Sequence, residues 1–171
     1  MAADHLTIKQ IVEENPGMKG FFTDSFYARL TLIGNRSKGS MHEKIAWAIV
    51  LKNAIEMLEI NEPELILDRK IFRCFEQDQK LRRCDLFLEQ AGIAYEVKSY
   101  RPILSRFVRD QIRKDEWLLK NKVVKQVWWL LFAGATPRVL SALTAAGIIY
   151  INVPQTGDDF TNIPQVYREE E

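Results

Sequence analysis

RCDLFLEQAGIAYEVKSY, residues 83–100, is the stretch on which the fold turns. Two short runs of apolar, aromatic and β-branched residues flank Gln90-Ala91-Gly92, so Arg83 to Glu89 and Ile93 to Tyr100 read as two strands of one hairpin. Side chains alternate along a strand, which places Asp85, Phe87 and Glu89 on one face and Cys84, Leu86 and Leu88 on the other. On the partner, Ala94, Glu96 and Lys98 oppose Ile93, Tyr95 and Val97. Matching the apolar sets brings Asp85 nearly opposite Glu96, with Lys98 on the same polar face.

Two carboxylates held together repel unless a positive charge stands between them, and a divalent cation with oxygen ligands meets that need. Mg2+ fits best, with Mn2+ as the alternative. Such an ion polarises a phosphate and acidifies a bound water, and Lys98, two residues beyond Glu96, is placed to position or deprotonate that water. The plainer alternative is a surface hairpin with a cross-strand charge cluster.

Working outward, Ser40 to Ile60 lacks Gly and Pro, is rich in helix formers and follows Gly39-Ser40, which predicts a long helix. Asn61-Glu62-Pro63 ends it and a strand runs from Leu65 to Phe75. Beyond the hairpin, Ser105 caps a helix to Lys120, and the apolar run from Val123 to Phe132 predicts a strand covered on both faces. Thr136-Pro137 opens a helix to Ala146, Gly147 stops it, and Ile148 to Val153 is a further buried strand. The order is a helix, three strands, a helix, a strand, then a helix and a strand. That is an α/β protein with a mixed central sheet and helices on both faces, an αβββαβ core plus an αβ extension. Residues 1–39 form a lead-in, whose FYARLTLI at Phe26 to Ile33 suits strand or helix equally; residues 40–153 form one domain and residues 154–171 an acidic tail.

The 171 residues are 47% hydrophobic and 27% charged, an ordinary globular composition for one domain. No apolar run reaches the roughly 20 residues of a membrane span, and Met1 to Gln10 lacks a signal-peptide core. Cys74 and Cys84 belong to no metal or redox motif and read as buried thiols in a reducing compartment. Net charge is +1, but residues 80–125 hold twelve basic against six acidic residues, while the tail carries an excess of four negative charges. A basic middle suits a polyanion; the bland account is a solvated helix face.

On the helix from Ser105, the stripe Phe107, Val108, Gln111, Ile112, Asp115, Leu118 and Leu119 faces inward, so Gln111 and Asp115 need polar partners there. Asp115 suits a structural hydrogen bond to a strand end as well as a site role. Lys114 lies at the stripe's edge, its ammonium within reach of a phosphate. On the first long helix Glu43 continues the apolar line of Trp47, Val50, Ala54 and Leu58, as a core-side carboxylate or a group favouring the helix dipole; His42 falls on the surface side. Trp117 stands off its helix's buried stripe, where it is free to meet a partner.

Glu43, Asp85 and Glu96-Val97-Lys98, in that order on a helix and two strands, resemble the PD-(D/E)xK nucleases. LRRCDLFLEQAGIAYEVKSY, RDQIRKDEWLL, VWWLLF and LTAAGIIYI resemble in particular the nuclease domains of bacterial polymorphic and contact-dependent toxins. The resemblance spans Ser40 to Val153, and its motifs are short. It implies a three-layer restriction-endonuclease-like fold and a metal-dependent endonuclease, with Asp85 and Glu96 as metal ligands, Lys98 as the catalytic lysine and Glu43 as a further ligand through water. Gln111, Lys114 and Arg83 would support the site or contact phosphate. Cys84 stands where the family often has proline. Nucleic acid is the implied partner, DNA ahead of RNA with the choice left open. A toxin would add an immunity protein and delivery to a cytoplasmic site of action. Two other classes remain: a nucleic-acid-binding or assembly module without chemistry, and a structural domain whose four tryptophans mark core and interface.

Overall fold

The computed structural model describes Glu43, Ile45, Ala46, Ile49, Val50 and residues 67–153, with only the backbone described at Leu67 and Asp68. The chain divides into two compact units, one of residues 1–62 with 153–171 and one of residues 63–152. In the first, Glu43, Ile45, Ala46, Ile49 and Val50 are helical, as predicted, and the four apolar ones are buried. The rest of the expected first helix, the lead-in, His42, Trp47 and the acidic tail lie outside the described residues.

The second unit is an open five-stranded mixed sheet with two helices, an α/β arrangement. Strands β1 (Leu67–Cys74), β2 (Lys80–Leu88), β3 (Ile93–Lys98), β4 (Gln126–Leu131) and β5 (Ile149–Asn152) stand side by side in chain order. The first three are antiparallel, and β3–β4 and β4–β5 are parallel, with α1 (Arg106–Lys120) and α2 (Pro137–Ala145) as the crossovers. Two successive parallel crossovers of one hand set their helices on the same side of a sheet. Side chains of both helices accordingly join one core cluster with Phe87, Ala94, Val127, Trp129 and Leu131. On the opposite face Tyr95, Trp128 and Leu130 are fully buried as well.

β4 is the predicted strand covered on both faces, and its two tryptophans dominate the core. A buried indole removes on the order of 200 Å2 from water, roughly 5 kcal/mol of gross transfer free energy each before entropy is set against it. α1 begins as predicted: the Ser105 hydroxyl accepts the Val108 N–H at 3.2 Å, filling one of the orphan donors of the first turn. Gly147 ends α2 at φ +76°, a backbone region that costs a side chain about 1 kcal/mol or more.

β2 departs from the strict alternation expected of Arg83 to Glu89. β2 starts three residues before Arg83, at Lys80, after a turn in which the Gln79 N–H meets the Phe75 carbonyl at 2.7 Å. Its pairing with β1 then slips: Asp68 faces Phe87 but Lys70 faces Cys84, so Arg69 alone stands opposite both Asp85 and Leu86. This is a β-bulge, and one extra residue reverses the alternation on one side of it. Cys84 therefore shares the face of Phe87 and packs with it in the core, rather than the face of Leu86 and Leu88. Arg82, two residues before Cys84, turns to that same inner face.

Candidate active site

β2, β3, β4 and α1 each contribute to one buried polar cluster on the helix-covered face. Glu96 and Lys98 project from β3 with Ala94, because residues two apart share a face. Lys98 Nζ donates to Glu96 Oε1 at 2.6 Å and to Gln111 Oε1 at 2.7 Å, while Gln111 Nε2 donates to Glu96 Oε1 at 3.1 Å. Those three side chains close a triangle. The lysine ammonium also lies 4.9 Å from the Trp129 ring centroid, where the negative ring face helps to hold a desolvated cation.

Arg82 ties this triangle to the helix. Its Nη2 donates to Glu96 Oε2 at 3.0 Å and to Asp115 Oδ2 at 3.0 Å, its Nε donates to Asp115 Oδ1 at 2.6 Å, and its Nη1 donates to the Arg83 carbonyl at 2.6 Å. Trp129 Nε1 adds a third hydrogen bond to Asp115, at 2.9 Å. Arg82, Glu96, Lys98 and Asp115 keep only 3%, 5%, 3% and 2% of their surface exposed. Two cations against two anions leave the cluster neutral, and every charged group in it has short polar partners. Such a set is tolerable in a dry interior, and losing any one member exposes the others.

Burial works against the Arg82 charge, but Glu96 and Asp115 outweigh it and hold the guanidinium pKa above its ordinary value. Burial pushes the Asp115 carboxyl up, with Arg82 pulling the other way. Cys84, beside the cluster, has its thiol pushed by burial up to about 12.

Asp85 sits in the bulge on β2, half-buried. Its Oδ2 accepts the Val97 N–H at 2.8 Å, so its carboxylate reaches across to the β3 peptide next to Glu96. Asp85, Glu96, Lys98 and Gln111 are thus gathered at the end of the β2–β3 pair and the facing turn of α1. Lys114 is not among them: its ammonium pairs with Asp110 at 2.7 Å on the outer side of the helix. Arg83 is exposed, and Glu43 is a half-buried helical residue of the other unit. Asp115, expected to bond a strand end or to serve a site, instead accepts hydrogen bonds from the Arg82 and Trp129 side chains.

One expectation for α1 fails. Phe107, assigned to the inward stripe, is 65% exposed, because that stripe starts at Val108. Trp117 lies off that buried stripe, as expected, and is partly buried against Phe75, ring centroids 5.9 Å apart. The sequence reading missed Arg82 altogether, since strict alternation puts it on the wrong face. One signal was available: an aspartate mid-stripe at position 115 needs buried donors opposite it, and a cation is the strongest of these.

Asp85 and Glu96 supply hard oxygen donors of the kind a magnesium ion takes, and one or two carboxylates suffice when water and substrate phosphate complete its shell. Among the described residues no group of three His, Cys, Asp or Glu is placed to hold a metal ion. Both Glu96 oxygens already have cationic partners, so to take an ion Glu96 must exchange one of its bonds to Arg82 or Lys98. No described helix is long and apolar enough to cross a membrane. Comparisons with protein-family models, curated proteins and solved structures give no match for this chain.

Proposed function

We propose that the chain is a nuclease that hydrolyses phosphodiester bonds, on a restriction-endonuclease-like version of the α/β fold, with Lys98, Glu96 and Asp85 at its centre. The observation carrying this reading is the closed triangle of Lys98, Glu96 and Gln111, beside the Asp85 carboxylate on the adjoining strand. An ammonium within 2.6 Å of a carboxylate is held in a fixed direction, as a group that must orient a water or steady a developing charge has to be. Gln111 fixes the lysine from the helix side, and Arg82 fixes the far oxygen of Glu96. Mg2+ bound by Asp85 and Glu96 would supply Lewis acidity toward the phosphate and a more acidic water. The exposed side chains of Tyr100 and Phe107 stand over Lys98, with ring centroids 5.8 and 5.9 Å from its ammonium.

A second reading, a polynucleotide-binding module without chemistry, is favoured by the burial of Glu96 and Lys98 and by the saturation of Glu96 with protein cations. Labelled DNA and RNA, each single- and double-stranded, incubated with the purified protein and either Mg2+ or a chelator, separate the two. The nuclease reading expects metal-dependent cleavage that Lys98→Ala and Asp85→Ala each reduce by about a hundredfold or more. Parental cleavage by either variant overturns it. Salt-sensitive binding without cleavage establishes the second reading.

A further inference from the structure

Outside the buried cluster lies a groove that neither reading has used. Arg106, Arg109 and Arg113 follow one another at spacings of three and four on the outer face of α1. With Lys80 from the start of β2, Phe107 and Asp110 they line an open cavity of about 810 Å3. Four cations face one carboxylate, and that carboxylate is already matched by Lys114 at 2.7 Å and Arg113 at 3.5 Å. A solvent-open row of cations with its own acid neutralised is complementary to a chain of phosphates.

The aromatic rings narrow the choice of chain. Phe107 is 65% exposed and Tyr100 is 53% exposed, although both are of a size that folded chains normally cover. Phe107 belongs both to the wall of the cationic groove and to the cover over Lys98, and Tyr100 stands over the same ammonium. An exposed ring beside a row of arginines offers a stacking surface to a base, and only an unpaired base has a free face to give it. In a duplex the faces are already stacked on one another. Duplex DNA would engage the arginines and leave the rings in water.

We infer that this groove binds single-stranded nucleic acid, with its phosphates along Arg106, Arg109, Arg113 and Lys80 and an unpaired base stacked on Phe107 and Tyr100 above Lys98. The choice of a polynucleotide rests on the nuclease reading. Stacking and backbone contact are shared by DNA and RNA, so both strands belong in the test. Fluorescence anisotropy in chelator, with one mixed sequence as labelled single-stranded DNA, single-stranded RNA and blunt DNA duplex, measures binding without cleavage. The expected result is that at least one single strand binds about tenfold or more tighter than the duplex. Phe107→Ala then weakens that binding by about tenfold and leaves the duplex unchanged, whereas Phe107→Trp keeps it. Arg109→Ala flattens the salt dependence. Both positions are exposed, so the variants keep the parental melting curve. Duplex binding as tight as single-strand binding, or parental affinity in Phe107→Ala, overturns the inference. A protein that cleaves nothing in the Lys98 assay fails the nuclease reading while this binding test still stands, and an active enzyme without strand preference fails the inference alone.

Discussion

On the inner face of α1, Asp115 meets Arg82 at 2.6 Å with 2% and 3% of the side chains exposed; on its outer face, Asp110 meets Lys114 at 2.7 Å with 36% and 16% exposed. The two pairs are alike in distance and opposite in consequence. Outside, water solvates either partner when the other leaves, so the bond is worth little and the residues are free to serve a ligand. Inside, no water replaces a lost partner, and the cluster either stays whole or the strands and helix come apart around a bare charge. One helix thus carries a fixed site on one side and an adaptable surface on the other.

The sharpest way to break this comparison is Arg82→Ala, which strands Asp115 and one oxygen of Glu96. Urea unfolding should show a loss of about 3–5 kcal/mol, against less than about 0.5 kcal/mol for Arg109→Ala on the outer face. Equal losses would remove the distinction. Replacing Arg82 by Met together with Asp115 by Leu should recover part of that loss, because no bare Asp115 charge remains, while Glu96 Oε2 and the Trp129 N–H each still lose a partner.

The next effect is one of pH. Burial raises the Cys84 thiol from its ordinary 9.0 to about 12, so the folded state keeps a proton that the unfolded chain gives up. Stability from this group is complete below about pH 9 and is lost as the pH rises toward about 12, with a slope of up to about 1.4 kcal/mol per unit. Unfolding midpoints between those limits should fall more steeply in the parent than in Cys84→Ala. Identical slopes would mean the inner face is wetter than its burial indicates.

A smaller loss is expected from Trp129→Phe, which keeps the ring but removes the N–H given to Asp115: about 1–2 kcal/mol by thermal unfolding. No loss would show that Arg82 alone satisfies the carboxylate. Smallest of all is Asp110→Asn. The Lys114 hydrogen bond holds the Asp110 pKa below its ordinary 3.8, so its contribution is present above that pH and is lost as the pH falls through the lowered value. An exposed i,i+4 pair contributes about 0.3–0.5 kcal/mol, and the variant should melt within a degree or two of the parent. A larger shift would place Asp110 among the structural groups.

Local pattern carried the reading of α1 and α2 almost residue for residue and that of β4 except for its first three residues, since a cap, an unbroken apolar run and a proline at the first helical turn act within a few positions. It also put Glu96 and Lys98 on one face, which two-residue periodicity alone requires. β2 was different. Its bulge arises from how β1 and β2 fit together, and no single residue in Arg83 to Leu88 announces it. Phe107 went wrong for a related reason: a stripe's phase is set by its apolar residues, but its first residue is buried only if something lies above it.

The order of the described strands and helices, the buried β4 and the placement of Glu96 and Lys98 on one face were therefore determined by the sequence on its own, because each depends on spacing along a few turns or a few pleats. Only the folded chain decided that Arg82 would reach across three elements to neutralise Asp115 and Glu96, and that Phe107 would stand in the groove rather than the core. The first of those outcomes depends on residues 14 and 33 positions apart meeting in a medium without water, where charge must balance locally and a one-residue slip between strands reverses which side chain is available to do it.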